Sequence, residues 1–336
     1  MARPRLSEVA ARAGVSEKTV SNVINNYPHV TVGTRAKVEA ALAELDYKVN
    51  LSARSLASGR TGFIAFAAPG LDNPYFAELA GHIIRAAAAQ NWTVLIEQTG
   101  GNRSPESEVV GGRTPYLVDG IILHPEALTA ADIADRSDGT PIVLIGEQSL
   151  DGVADHVAAD NVRAALELTN HMIGCGRRRI ATIGIEAESG FATSALRYEG
   201  YFRALTAAGI TVDESLTVPV NRYKRGDGAG AMAQLLNLRD RPDAVICFND
   251  VLAIGALSQL HRSGVEVPRE VAVAGFDNIE EAPFSVPPLT TISWDMRAIA
   301  EMAVALLSER QGKNEQRPRQ EISIGHTLTV RASTIG

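Results

Sequence analysis

The chain has 336 residues, of which 45% are hydrophobic and 21% charged, enough for a small domain joined to a large α/β body and unlike a low-complexity or disordered polymer. The net charge of −7 hides an asymmetry, because residues 1–60 hold nine Lys and Arg against five Asp and Glu while residues 61–336 hold 23 against 34. A basic head on an acidic body suits a DNA binder with a separate sensing domain. With no 18-residue apolar run and no signal peptide, a cytoplasmic protein without a membrane partner is expected.

At the start of the chain Leu6, Val9, Ala10 and Ala13 fall at i, i+3, i+4 and i+7, which lays one apolar stripe on a short helix. Gly14 breaks it, since glycine takes the left-handed backbone of a tight turn, and Ser16 can cap the next helix. A second helix from Glu17 to about Ile24 would turn Val20, Val23 and Ile24 inward. Glu17, Lys18, Ser21, Asn22 and Asn25 would then point outward, with groups long enough to reach base edges and phosphates. Thr31 caps a third helix whose Val38, Ala41, Leu42 and Leu45 close a three-helix core. The pattern fits a helix-turn-helix, and equally two amphipathic helices about an Ala-Gly turn in any helical protein. In the next segment, Asn50 to Ser58, Asn50 can cap a turn that sets Ala53, Leu56 and Ala57 on one face. It is too short to be a stable helix alone, and an ordinary linker is the alternative.

From Thr61 the texture changes to short apolar runs: 63–68, 93–98, 120–124, 141–146, 156–160, 179–184, 244–248 and 271–276. Amphipathic stretches lie between most of them, at 75–90, 161–173, 195–208 and 250–262. This alternation predicts an α/β body of doubly wound parallel sheets, and eight strands fit two lobes better than one. HTLTV at 326–330 is an expected last strand, and Cys175 and Cys247, in or beside core segments, read as small apolar residues.

Ligands of open α/β sheets sit beyond the carboxyl ends of the strands, so two facing lobes make those ends the walls of a cleft. The rule selects Asp72, Asn73, Tyr75 and Phe76, then Arg197, Asn249, Asp250 and Asp277. Carboxylate, amide and guanidinium groups beside aromatic rings suit a polyhydroxylated ligand. Each has a plainer reading: Asn249 and Asp277 as helix caps, Tyr75 and Phe76 as core, Arg197 as a surface residue. Asp160 with Asn161 reads as a cap bordering the cleft. No GxxxxGK[ST], GxSxG or HExxH motif is present, so an enzyme is not expected. The glycine cluster RGDGAGAM at 225–232 lacks the last glycine of a dinucleotide loop and reads as the start of a helix. His171 and Cys175 share an i, i+4 spacing without a further ligand, so neither a metal nor a cofactor is expected.

VAARAGVS, TVSNVIN, the run from Thr34 to Tyr47 and NLSARSLASG resemble, in order and spacing, the signature of the lactose repressor (LacI/GalR) family. The resemblance continues through DNPYF, RYEG, FND, GFDN and PPLTTIS and covers the whole chain. It implies that residues 1–48 are a helix-turn-helix DNA-binding domain, 49–60 a hinge helix and linker, and 61–336 a periplasmic-binding-protein-like effector and dimerisation domain. One lobe would hold about 61–160 and 290–322, the other about 161–289 and 323–336.

Glu17, Lys18 and Asn22 lie where the family reads bases, while Ser21, Asn25, His29, Thr31 and Thr34 match its backbone contacts. Leu6, Ser7 and Tyr47 complete the set on the head. Many members carry Arg where this chain has Asn22, and Asn favours adenine where Arg favours guanine. Glu17 either accepts from cytosine N4 or points at solvent. Asn50, Ala53, Leu56 and Ala57 would form a hinge that folds when two copies pack over the minor groove, with Leu56 as a wedge. The same resemblance places effector contacts at Asn73, Tyr75, Phe76, Arg197, Asn249 and Asp277, with Tyr223 about where another aromatic stands and Trp294 a further candidate. The implied partners are double-stranded operator DNA, a sugar or else a nucleobase as effector, and a second copy of the chain. The chain lacks a heptad tail, so a dimer rather than a tetramer is expected.

Overall fold

The computed structural model describes residues 4–24, 27–47, 60–111, 118–136, 139–148, 150–186, 192–311 and 317–335. It divides the chain into two compact units, Met1–Thr61 and Gly62–Gly336. The expected hinge residues Asn50, Ala53, Leu56 and Ala57, and Asn25 of the reading face, lie outside the described residues.

Among its described residues the first unit has three helices, α1 (Leu6–Ala13), α2 (Glu17–Ile24) and α3 (Val32–Glu44), packed in one cluster. The Arg5 N–H donates to Glu8 Oε2 at 3.3 Å at the start of α1, and Gly14 ends the helix with φ +66°, the left-handed turn that its missing Cβ permits. Val9, Ala10, Ala13, Val20, Val23, Val38 and Ala41 form its buried core.

In the second unit two six-stranded sheets form the two lobes. The first runs β11-β5-β4-β3-β1-β2, from β1 (Phe63–Ala68), β2 (Thr93–Gln98), β3 (Ile121–Leu123), β4 (Ile142–Ile145), β5 (Asp155–Ala159) and β11 (Glu321–Ile324). Every pairing in it is parallel. The second runs β12-β10-β9-β8-β6-β7, from β6 (Ile180–Glu186), β7 (Thr217–Val220), β8 (Ala244–Cys247), β9 (Ala272–Asp277), β10 (Thr290–Trp294) and β12 (His326–Thr329). Only β12 runs antiparallel, along β10.

The connecting helices are α4 (Pro74–Ala89), α5 (Arg103–Val110), α6 (Ala130–Ala134), α7 (Asn161–Gly174), α8 (Ala192–Ala207), α9 (Arg225–Leu236), α10 (Asp250–Arg262) and α11 (Met296–Glu309). Strand β1 shows why its sequence is continuously apolar: Ile64, Phe66 and Ala68 pack into one core while Ala65 and Ala67 face another. A parallel strand covered on both faces has no polar side to show.

Two sequence expectations need correction. Residues 290–294 pair with β9 in the second sheet rather than opening the first lobe's return, and 323–324 complete β11 in the first sheet rather than joining the second. The chain therefore changes lobe near Asp160, Asp295 and Gly325. The first two are helix caps whose carboxylates accept from Arg163 N at 2.9 Å and Ala298 N at 2.9 Å. Cys175, expected beside the core, is exposed, whereas Cys247 in β8 is buried. Among the described residues no helix is long and apolar enough to cross a membrane.

Candidate functional site

On the head, Ser16 Oγ accepts from Thr19 N at 3.2 Å and Thr31 Oγ1 from Thr34 N at 3.3 Å, so both predicted caps form. Arg35 donates to the carbonyls of Val23 at 3.4 Å and Tyr27 at 3.3 Å, which pins α3 to the end of α2. Glu17 and Lys18 are exposed and Ser21 and Asn22 half-buried along α2; Ser7, His29 and Thr31 are exposed. Leu6 and Tyr47 lie against the three-helix core, and the hydroxyls of Thr31 and Thr34 bond to each other at 2.9 Å.

In both sheets the strand order reverses beside the first strand of the lobe, between β1 and β3 and between β6 and β8. Such a reversal opens a crevice at the carboxyl ends. A cavity of about 300 Å3 lies there between the lobes. It is lined by all seven expected contacts, Asn73, Tyr75, Phe76, Arg197, Tyr223, Asn249 and Asp277, and by Trp294.

Arg197 is its centre. Nε donates to Asn161 Oδ1 at 2.7 Å, Nη1 to the Phe248 carbonyl, and Nη2 lies 3.7 Å from Asp277 Oδ1. The guanidinium stands 4.4 Å from the Phe276 ring centroid and 6.0 Å from that of Trp294. Trp294 Nε1 donates to Asp277 Oδ1 at 3.3 Å. Burial pushes the Asp277 carboxyl up to about 6, against the pull of Arg197 and the Trp294 hydrogen bond. Its backbone sits at φ +107°, a conformation that L side chains rarely adopt. Asp250 supports that backbone: Oδ2 accepts from Ile279 N at 3.1 Å and Oδ1 from Thr291 Oγ1 at 2.6 Å. Burial holds the Asp250 carboxyl well above its ordinary value.

The plainer readings hold in part. Asn73 accepts from Tyr75 N at 3.2 Å and Asn249 from Leu252 N at 2.8 Å, so both cap helices while bordering the cavity. Tyr223 donates to the Gly184 carbonyl at 2.7 Å. Asp160 caps α7 as expected, whereas Asn161 does more than cap. Its Nδ2 donates to Glu147 Oε1 at 2.8 Å and so links the second lobe to the first.

Sequence reasoning missed His124, Glu147, Thr193 and Lys224, which also line the cavity. His124 Nε2 lies 3.8 Å from Glu147 Oε2, and its ring meets Phe76 edge to face at 4.9 Å. Burial pushes the imidazole below its ordinary value. Burial alone would raise Glu147, yet His124, Arg197 and hydrogen bonds from Thr193 and Asn161 outweigh it and hold the carboxylate ionised. At the mouth Lys224 pairs with Asp72 across the lobes, and the Glu280 N–H donates to Glu78 Oε1 at 2.9 Å. No group of three or more His, Cys, Asp or Glu side chains that could hold a metal occurs among the described residues. His171 Nε2 bonds Thr334 Oγ1 at 2.8 Å, with Cys175 Sγ 3.8 Å away.

Two family models match: bacterial regulatory proteins of the lacI family over residues 5–50, and the periplasmic binding protein-like domain over 169–334. The HTH-type transcriptional repressor PurR of Vibrio atlanticus (strain LGP32) is 32% identical, over 91% of each chain. The chain belongs to the lacI family. This lacI-family protein is a DNA-binding transcriptional regulator with a ligand-binding domain, not an enzyme. It is also 32% identical to the ribose operon repressor of Escherichia coli (strain K12), over 91% of this chain and 92% of the relative. The crystal structure of the lac repressor dimer bound to operator and the anti-inducer ONPF superposes with a TM-score of 0.84 at 26% identity, over 100% of each chain.

Proposed function

We propose that this lacI-family regulator is a cytoplasmic, homodimeric repressor that binds a pseudo-palindromic operator and carries a neutral sugar in the cavity between its lobes. The observation that carries the effector reading is the buried array of Arg197, Asp277, Asn161 and Glu147 beside the rings of Trp294 and Phe76. Vicinal hydroxyls donate to a carboxylate and accept from a guanidinium at once, and the apolar face of a pyranose or furanose stacks on aromatic rings. The ribose operon repressor and the lac repressor among its relatives favour this class. A nucleobase is the second reading, favoured by the similarity to PurR and by a cavity with both rings and amides. Dimerisation is supported by the likeness to the lac repressor dimer and by the apolar side chains of Phe284 and Val286, which are 78% and 83% exposed. Glu17, Lys18 and Asn22 are proposed to read bases, with Asn22 directed at adenine.

A thermal-shift screen of the full chain against sugars and nucleobases tests the effector class, and operator binding is then measured with the hit. A ligand at 100 times its dissociation constant stabilises the folded state by about 2.7 kcal/mol, a readily measured shift. A sugar is expected to raise the melting temperature, and Arg197→Ala to abolish that rise. A shift by nucleobases alone would replace the sugar reading, and a shift by neither class, with a redox cofactor or nucleotide effective instead, would end the sensing hypothesis.

A further inference from the structure

Glu106, on α5, is fully buried. Its Oε1 accepts from the Glu126 N–H at 2.9 Å, and its Oε2 from the N–H groups of Ala127 and Leu128, both at 3.0 Å. Three successive amides of the loop between β3 and α6 thus close around one carboxylate. The far end of the same loop is also held from α5, because Arg103 donates to Asp132 at 2.9 Å and 3.2 Å while Asp132 accepts from Thr129 N at 2.8 Å. Burial pushes the Glu106 carboxyl above its ordinary value, although the three amides pull it down. A carboxylate is tolerated inside a protein where donors satisfy it, and an apolar side chain would fill the same space without that cost.

The loop is part of the cavity wall. His124 and Glu126 line the cavity where this loop begins, and so do Gly100 after β2 and Glu147 after β4. The three strand-end loops meet at Glu126. Its carbonyl accepts from Gln148 Nε2 at 3.0 Å, beside Glu147 in the chain, and its carboxylate lies where a Cβ on Gly101 would fall. Gly100 and Gly101 both occupy the left-handed region, at φ +65° and +66°. Glu147 in turn accepts from Asn161 of the second lobe at 2.8 Å. Glu106 therefore holds the loop against which the other two rest.

We propose that Glu106 is a positioning residue of this cavity, which sets, through the amides of Glu126, Ala127 and Leu128, where His124, Glu126 and Glu147 stand. Its relevance to an effector rests on the reading of the cavity as the effector site. Glu106 is not among the lining residues, so it acts through the loop and not on a ligand. Polar groups carried on loops hold a productive geometry only when buried hydrogen bonds behind them fix the backbone.

Amide hydrogen exchange and the titration of His124 test it on the full chain. Neither uses a ligand, so both decide the positioning role whatever binds in the cavity. Glu106→Met removes the three acceptor contacts at similar volume, whereas Glu106→Gln keeps one acceptor oxygen and should rescue in part. Exchange of the Glu126, Ala127 and Leu128 amides is expected to quicken at least about tenfold in Glu106→Met, the value of one hydrogen bond to a charged group, and by less in Glu106→Gln. A role confined to the loop's own stability would leave the His124 imidazole unmoved. Its proton resonance is assigned by its loss in His124→Gln. Glu147, His156 and Arg197 face this ring, and burial, which lowers its value, outweighs the pull of Glu147. A loosened wall admits water, so the titration should move up toward 6.5 in Glu106→Met and part of the way in Glu106→Gln. Unchanged amide exchange in both variants, or faster exchange with His124 titrating as in the wild type, would overturn the assignment. If Glu106→Met does not fold, Glu106→Gln decides by the same two measurements.

Discussion

At the scale of single residues, Asp277 joins fold to chemistry. In an unfolded chain its carboxyl would ionise near 3.8, and burial beside Arg197 and Trp294 moves this to about 6. The neutral form therefore survives to higher pH in the folded state. Between about pH 4 and 6 the unfolded chain releases its proton first, so this residue's contribution to stability falls as pH rises through that window and is constant above it. Binding of a hydroxylated effector runs the other way. An ionised carboxylate accepts hydroxyl donors, so affinity should rise through about pH 6 and level off roughly one unit above it. His124, with its value lowered by burial, also gains charge at the acid end. Glu147 and Glu78 face the same carboxylate and oppose its ionisation. Asp277→Asn separates these groups: calorimetry from pH 5 to 8 should give weaker and nearly flat binding, and an unchanged slope would assign the dependence to His124.

Asp277 and Arg197 were legible because both stand where a strand-end rule looks. His124 and Glu147 obey the same rule and were passed over. The apolar run 120–124 was read as strand through His124, although β3 ends at Leu123, and the run 141–146 was closed at its glycine, one residue before Glu147.

At the scale of elements, buried strands and amphipathic helices were readable from their periodicity, and the short edge strands β7 and β11 were not. β7 contains Pro219 on an edge, and β11 alternates exposed and half-buried side chains because it too lies at an edge. Such strands are held by a neighbour rather than by their own hydrophobicity. One glycine of RGDGAGAM, Gly228, has a structural explanation in the packing of a neighbouring helix. A Cβ at Gly228 would fall onto the backbone of Leu252, and one at Gly255 onto the Arg225 carbonyl, so α9 and α10 approach through reciprocal glycines. Alanine at an exposed helical glycine gains about 1 kcal/mol from propensity. At Gly255 the backbone clash should outweigh that gain, and Gly255→Ala should lower unfolding stability by about 1–3 kcal/mol. Chemical denaturation checks this, and a stabilised variant would show that the helices can separate at little cost.

At the scale of the whole molecule, the chain changes lobe three times, and two of those changes begin a helix capped by an aspartate. The lobes are joined across the cavity by Asn161 and Glu147, by Lys224 and Asp72, and by the Glu280 N–H and Glu78. A ligand that bridges the same walls biases their closure by its differential affinity for the two states, and no further. For that bias to alter operator affinity it has to be carried by the stretch that joins the units, whose Leu56 we propose as a minor-groove wedge. Leu56→Ala should then cut specific operator affinity by at least about tenfold, the order of a lost unstacking contact. Affinity for non-specific DNA, which the basic head supplies through phosphates, should change little. Effector affinity in the absence of DNA should also stay the same, since the cavity is lined by residues of the second unit alone. Anisotropy titrations on operator and scrambled duplexes at fixed salt measure both affinities, and equal losses on the two DNAs would remove the wedge.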